Sequence, residues 1–310
     1  MIYIFFIGII LLIFLIIVIY FIKEKIQVFL KFCISIFDIS DYFISYKLYN
    51  KKEGIKSKKK INKKSNKKFA IIIQGPLVNE NKFTLETIKF YSNLYPGTPI
   101  IFSSWKNDIS QLKTEKLRKN IKLISNILPA YPGYKNINLQ SVSSKNAILL
   151  AKKLGCKYVL KTRSDIRIYS LNFIEYLIET IKFYKINKVL NLRQKERIIT
   201  SSFTLRYRLY GISDMMMFGN TNDLYNYFNI LTTPKLENKF LKFLLKLKFK
   251  DENYFLQNEF CPEIYFFSEF FKKMNIKLNW SVDDYIKKIS DNFIIIDNKS
   301  LSVYWKKSNK

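Results

Sequence analysis

A continuous apolar run at residues 69–73 and further mainly apolar strand patterns at 99–105, 121–125 and 157–160, with helical patterns between them, constrain this chain more than any other feature. An apolar run of four to eight residues that does not alternate with polar ones marks a strand covered on both faces, as in parallel sheets packed between helices. Strands and helices alternating at this spacing predict an α/β domain on a mostly parallel sheet with right-handed crossovers. The first run is broken by Gln74-Gly75-Pro76. A helix follows from Thr84, with Leu85, Ile88, Tyr91 and Tyr95 as its apolar positions and Pro96-Gly97 as its stop. Asp108 is placed to N-cap a polar helix through Asn120. Turn-rich residues 128–135 lead into a helix over 138–154, with Gly155 where a left-handed residue ends a helix.

The fourth run leaves through Lys161-Thr162-Arg163-Ser164-Asp165-Ile166-Arg167-Ile168, so it reads as a short buried strand whose carboxyl end opens through alternating base and acid. Beyond it, the pattern predicts a helix over 171–184, strands over 198–203 and 213–218, an aromatic-rich helix over 262–274 and a late strand over 293–297. The carboxyl ends of parallel strands converge on the edge where open α/β sheets bind their ligands. Gln74, Gly75, Pro76, Ser103, Ser104 and Asp165 are therefore expected around one crevice. Gly75 lets backbone approach a ligand closely, and the Gln74 amide both donates and accepts. Asp165 among Lys161, Arg163 and Arg167 suits a phosphate-bearing ligand, with or without a divalent metal. A strand-end ion-pair cluster is the competing reading.

Several chemistries are excluded. The chain contains no histidine, so histidine-dependent triads and zinc motifs are absent. Neither GxGxxG nor GxxxxGK[ST] occurs. Cys33, Cys156 and Cys261 are far apart without ligand spacing, as expected of reduced thiols. The formal net charge of +29 admits nucleic acid, an anionic membrane face or an anionic substrate, and its distribution has to discriminate.

Residues 2–22 carry no charge and are long enough, as a helix, to cross a hydrocarbon core, so residues 1–22 are expected to be a transmembrane anchor. The lysines that follow place the remainder on the cytoplasmic side of a bacterial inner membrane. Residues 23–50 are apolar with scattered charges and read as an interfacial amphipathic segment. Residues 51–68 form a Lys-rich linker, and residues 69–310 the folded domain. The linker interleaves no aromatic residue, which argues for contact with anionic lipids and against nucleic acid as a partner.

One ordered set of residues is shared with a known family. Ile73-Gln74-Gly75-Pro76, Thr84 with Thr87, Ser103-Ser104-Trp105, Asn138-Leu139-Gln140 with Ser143-Ser144, the run from Lys161 to Arg167, Ser213-Asp214 with Phe218-Gly219, and Pro262-Glu263 resemble the WavE family of lipopolysaccharide-synthesis proteins. The resemblance extends from about Phe69 to the end. It implies a GT-A-like glycosyltransferase fold, a nucleotide-sugar donor and a lipid-linked glycan acceptor in lipopolysaccharide or surface-polysaccharide assembly. It further implies a divalent metal, manganese or magnesium, on the short acidic motif that Asp165 represents. Gln74, Gly75, Pro76, Ser103, Ser104, Arg163, Asp165 and Arg167 are then the expected donor-binding residues. A carboxylate base near the acceptor hydroxyl has three candidates: Asp214, placed at the start of an apolar strand, then Glu263, then Glu259. A non-catalytic membrane scaffold that keeps the fold is the alternative from another class.

Overall fold

The computed structural model describes residues 69–187, 193–202, 209–230 and 262–306. The expected membrane span, the interfacial segment, the Lys-rich linker and Glu259 lie outside these residues. Among the described residues, no helix is long and apolar enough to cross a membrane.

A seven-stranded sheet forms the middle layer. β1 (Phe69–Gln74), β2 (Ile100–Trp105), β3 (Ile121–Asn126) and β4 (Tyr158–Arg163) are its parallel half, in the order β3-β2-β1-β4. β7 (Met217–Asn220) joins β4 antiparallel, and β6 (Ile198–Ser201) and β8 (Phe293–Ile296) complete the sheet on that side. The mostly parallel sheet is therefore present, with β7 antiparallel to both of its neighbours.

Both faces are covered at the centre of the sheet, which is why β1 reads as an unbroken apolar run, whereas the edge strand β3 carries Lys122 and Ser125. Phe69, Ile71 and Ile73 of β1 face α1 (Phe83–Leu94), α2 (Lys106–Lys113) and α4 (Phe173–Phe183), in a core with Leu85, Ile88, Tyr91, Leu112 and Phe173. Ala70 and Ile72 face the other way, toward α3 (Ile137–Lys153), α5 (Thr221–Phe228) and α6 (Pro262–Lys273). Ile71, Ile72 and Ile73 are wholly buried, and each contributes roughly 1.5–3 kcal/mol relative to exposure. α7 (Val282–Asn292) precedes β8. At the end of α3, Gly155 has φ +71°, Cys156 N–H donates to the Ala151 carbonyl at 3.0 Å, and Gly155 N–H donates to the Lys152 carbonyl at 2.9 Å. This is the doubly bonded glycine termination expected there.

The strand left through charge is β4, which stops at Arg163; the chain turns at Ser164-Asp165, and β5 (Ile166–Ile168) then pairs antiparallel with β9 (Val303–Trp305) near the C-terminus. Two local expectations are corrected. Asp108 does not cap its helix. α2 begins at Lys106 with Trp105 at the cap position, and Asp108, in the first turn, accepts the Ser104 hydroxyl instead. β7 begins at Met217, so Asp214 lies in the loop before the strand rather than at its start.

Candidate functional site

From β1 the chain runs outward to β2 and β3, then returns to place β4 on the opposite side of β1. Such a reversal of strand order leaves a crevice beyond the carboxyl ends, because the flanking connections depart in opposite directions. A cavity of about 740 Å³ stands at this point. The β1–α1 loop from Gln74 to Glu80, Trp105 at the end of β2, and Arg163, Ser164 and Asp165 at the end of β4 form much of its wall. Lys135, Asn136, Leu139 and Gln140 at the entrance of α3, and Lys306 after β9, complete it.

Backbone constraints shape the wall. Gly75 has φ +121°, a torsion that favours glycine, and a Cβ there would lie 2.8 Å from the Ser164 Oγ, which would have to rotate aside. Ser164 N–H donates to the Gln74 carbonyl at 2.9 Å, and Gly75 N–H to the Ser103 carbonyl at 3.2 Å. The Thr84 hydroxyl donates to the Ser164 carbonyl and accepts from Val78 N–H, tying the β1–α1 loop to the β4–β5 turn. Both loops enter their helices through paired left-handed non-glycine residues, Asn81 with Lys82 and Lys135 with Asn136. Such residues cost on the order of 1 kcal/mol each and persist where surrounding contacts over-determine them, frequently at ligand sites.

Asp165 is held from two sides. Arg163 donates through Nε to Oδ1 at 2.9 Å and through Nη2 to Oδ2 at 2.6 Å, a bidentate charge-assisted pair. Trp305 Nε1–H donates to Oδ2 at 3.0 Å. Lys306 N–H donates to the Asp165 carbonyl at 2.9 Å, and its ammonium pairs with Glu80 at 2.9 Å. This donor set does not fit a divalent ion. A guanidinium occupies the coordination side of the carboxylate, and no group of three or more acidic or thiol side chains suited to a metal occurs among the described residues.

A buried polar cluster stands behind the wall. The two-residue period of β4 turns Lys161 to the α3 and α5 face, where its ammonium donates to the Asp214 carbonyl at 2.6 Å and lies 4.9 Å from the Phe228 ring centre. Gln140, which lines the cavity, donates its Nε2–H to the Asp214 carboxylate. Burial pushes the Asp214 carboxyl up to about 6, with Glu263 adding to the rise and Lys161 opposing it. Burial also pushes the Lys161 ammonium down to about 8, against the attraction of Asp214. Asp214 and Glu263 are thus close enough to sense each other's charge, with Gln140 between Asp214 and the open space.

The structure does not bring all the expected donor-binding residues to the cavity. Gln74, Gly75, Pro76, Arg163 and Asp165 line it. Ser103 and Ser104 are wholly buried: the Ser103 hydroxyl donates to the Ser143 carbonyl and accepts from Asn126, and Ser104 is bonded to Asp108. Arg167 belongs to the α1 interface. Its guanidinium donates to Thr87, Tyr169 and the Phe83 carbonyl, and lies 4.4 Å from the Phe83 ring centre. Sequence reasoning missed Lys135, Trp305 and Lys306. The last two reach the site through a three-residue strand that carries no periodic signal, whereas Trp105 and Gln140 were visible within the shared residue set.

A family model described as WavE lipopolysaccharide synthesis matches residues 69–294. No curated protein sequence matches the chain. Among solved structures, it is similar to 4-diphosphocytidyl-2C-methyl-D-erythritol synthase from Anaerococcus prevotii, at 13% identity and a TM-score of 0.41, over 74% of this chain and 89% of that one. A glycosyltransferase involved in glycosylation of the major capsid of PBCV-1 matches at 14% identity and a TM-score of 0.35, over 74% and 82%. A cytidylyltransferase from Leptospira borgpetersenii matches at 12% identity and a TM-score of 0.33, over 59% and 73%.

Proposed function

Because the chain belongs to the WavE lipopolysaccharide synthesis family, we propose that it is a GT-A-like glycosyltransferase, moving a sugar from a nucleotide-sugar donor to a lipid-linked glycan acceptor in lipopolysaccharide or capsular polysaccharide assembly. The observation that carries this reading is the cavity at the reversal of strand order, which has cations on its wall and the Asp214 carboxylate directly behind it.

In this reading the donor diphosphate lies against Arg163 and Lys306, and Trp105 offers a flat face to the nucleobase. An acceptor hydroxyl attacks the anomeric carbon as Gln140 turns aside, and Asp214 takes the hydroxyl proton. The bond from the anomeric carbon to the phosphate oxygen breaks, and the nucleoside diphosphate leaves with its added charge facing the two cations. A base near pH 6 is matched to this task at neutral pH. The apolar segment 2–22 would hold the domain at the cytoplasmic surface where a lipid-linked acceptor resides, and retention of the full chain in alkali-washed membranes checks that placement.

The test is transfer from UDP-, GDP- and CMP-sugars to a lipid-linked glycan extract by the full chain. Asp214→Asn should abolish transfer without unfolding the protein. In the wild-type protein kcat/KM should rise through about pH 6 as Asp214 ionises. Undiminished transfer by the variant would remove Asp214 from the mechanism, and a folded chain that transfers none of these sugars would favour the scaffold reading.

A further inference from the structure

We propose that this cavity binds the diphosphate of its nucleotide without a divalent ion, using Arg163 and Lys306, with Lys135 on the rim, as the counter-charge. The inference rests on the nucleotide-sugar reading above and deepens it. Its starting point is a mismatch: the carboxylate placed where a metal would be held is engaged by a cation of the chain itself.

Both oxygens of Asp165 receive Arg163, and Oδ2 also receives the Trp305 indole. A metal entering here would have to displace a bidentate guanidinium pair, among the stronger hydrogen-bonded contacts available to a side chain. Two of the guanidinium's five N–H donors serve Asp165, which leaves three for a ligand in the cavity that Arg163 lines. Asp165 in this arrangement is a positioning residue. It fixes the plane of the fork, and a guanidinium fixed in plane matches a phosphate better than a mobile ammonium does.

Lys306 supplies the second charge. Its side chain is only 12% exposed, and its ammonium meets Glu80, whose own side chain is 64% exposed. Exposed carboxylates gain little from such pairs, so a phosphate arriving in the cavity can take the ammonium while Glu80 swings into water. Glu80 is then a competitor for the anion site, and its removal has the opposite effect to removal of Lys306. Lys135, exposed at the entrance of α3, adds a third cation to the cavity lining.

Calorimetric titration of the full chain, purified in mild detergent, with UDP, GDP, CDP and CMP tests the proposal. Each titration is run in EDTA and again with manganese or magnesium. One nucleoside diphosphate should bind in EDTA with an affinity that either metal leaves within about twofold. Lys306→Met should weaken that binding about tenfold, Arg163→Gln by more, and Glu80→Gln should tighten it, a change that a purely structural Lys306–Glu80 contact would not produce. Binding that requires metal would overturn the inference and leave the glycosyltransferase reading intact. Metal-free binding that ignores Lys306→Met and Glu80→Gln would also overturn it. A folded chain that binds none of the nucleotides in either buffer would overturn both readings.

Discussion

Gly75 shows how one residue type sets the shape of the cavity. Its φ of +121° suits glycine, and the 2.8 Å separation between a built Cβ and the Ser164 Oγ adds a clash to the torsional cost. Gly75→Ala is expected to destabilise the chain by on the order of 2 kcal/mol through the strained torsion and to weaken nucleotide binding, since Gly75 itself lines the cavity and the Ser164 hydroxyl must rotate aside. Chemical denaturation and nucleotide titration check the two effects, and a variant matching wild type in both would show that the wall tolerates a side chain. Gly75 was legible because a glycine that ends an apolar run has few other uses. Ser103 and Ser104 looked equally promising by strand position, yet burial among Ser143, Asn126 and Asp108 absorbs both hydroxyls. Arg163, Asp165 and Arg167 were legible as charges at a strand end. Their partners were not, because pairing to Trp305 or to Thr87 is decided by contacts 140 and 80 residues away.

At the scale of elements, the parallel half of the sheet was readable because apolar stretches at 69–73, 100–102 and 158–160 recur between helical patterns, and Ile121, Leu123 and Ile124 mark β3 although Lys122 interrupts it. The antiparallel β7 was not, since a four-residue strand carries no sign of its direction. β9 was missed for a related reason: three residues, Val303-Tyr304-Trp305, pair with Ile166-Arg167-Ile168 at a sequence distance that no local pattern reveals. Yet this short ribbon delivers Trp305 to Asp165 and Lys306 to Glu80. A chain ending at Ser302 should keep the seven-stranded sheet while losing nucleotide affinity by an order of magnitude or more, because one cation and the indole that steadies Asp165 both leave. Circular dichroism beside nucleotide titration separates the outcomes. Loss of the cooperative melt would instead make β9 a structural strap, and retained affinity would remove the C-terminal residues from the site.

Stability belongs to the whole molecule, and here it conflicts with the proposed chemistry at Asp214. The Asp214 carboxyl keeps its proton up to about pH 6 in the folded chain, because burial disfavours the charged form, against an ordinary value of 3.8 when unfolded. Between those values the folded state binds more protons than the unfolded state, so this group's contribution to stability falls as pH rises through the window and is fully lost above about 6. The difference amounts to on the order of 2–3 kcal/mol at neutral pH. Asn cannot ionise, so Asp214→Asn lacks this slope. Asp223, also pushed up to about 6 by burial, contributes equally to both proteins and cancels in the comparison. The expected outcome is a variant that gains stability relative to wild type as pH is raised from 4 to 7, by about 2–3 kcal/mol, while failing in transfer. Urea unfolding of both proteins across that range measures it. Parallel stability curves would mean that burial does not raise the Asp214 carboxyl in the folded chain, and the rise of kcat/KM would then lie below pH 6. A gain in stability coupled to loss of transfer would identify Asp214 as a group retained for its reactivity at the expense of the fold.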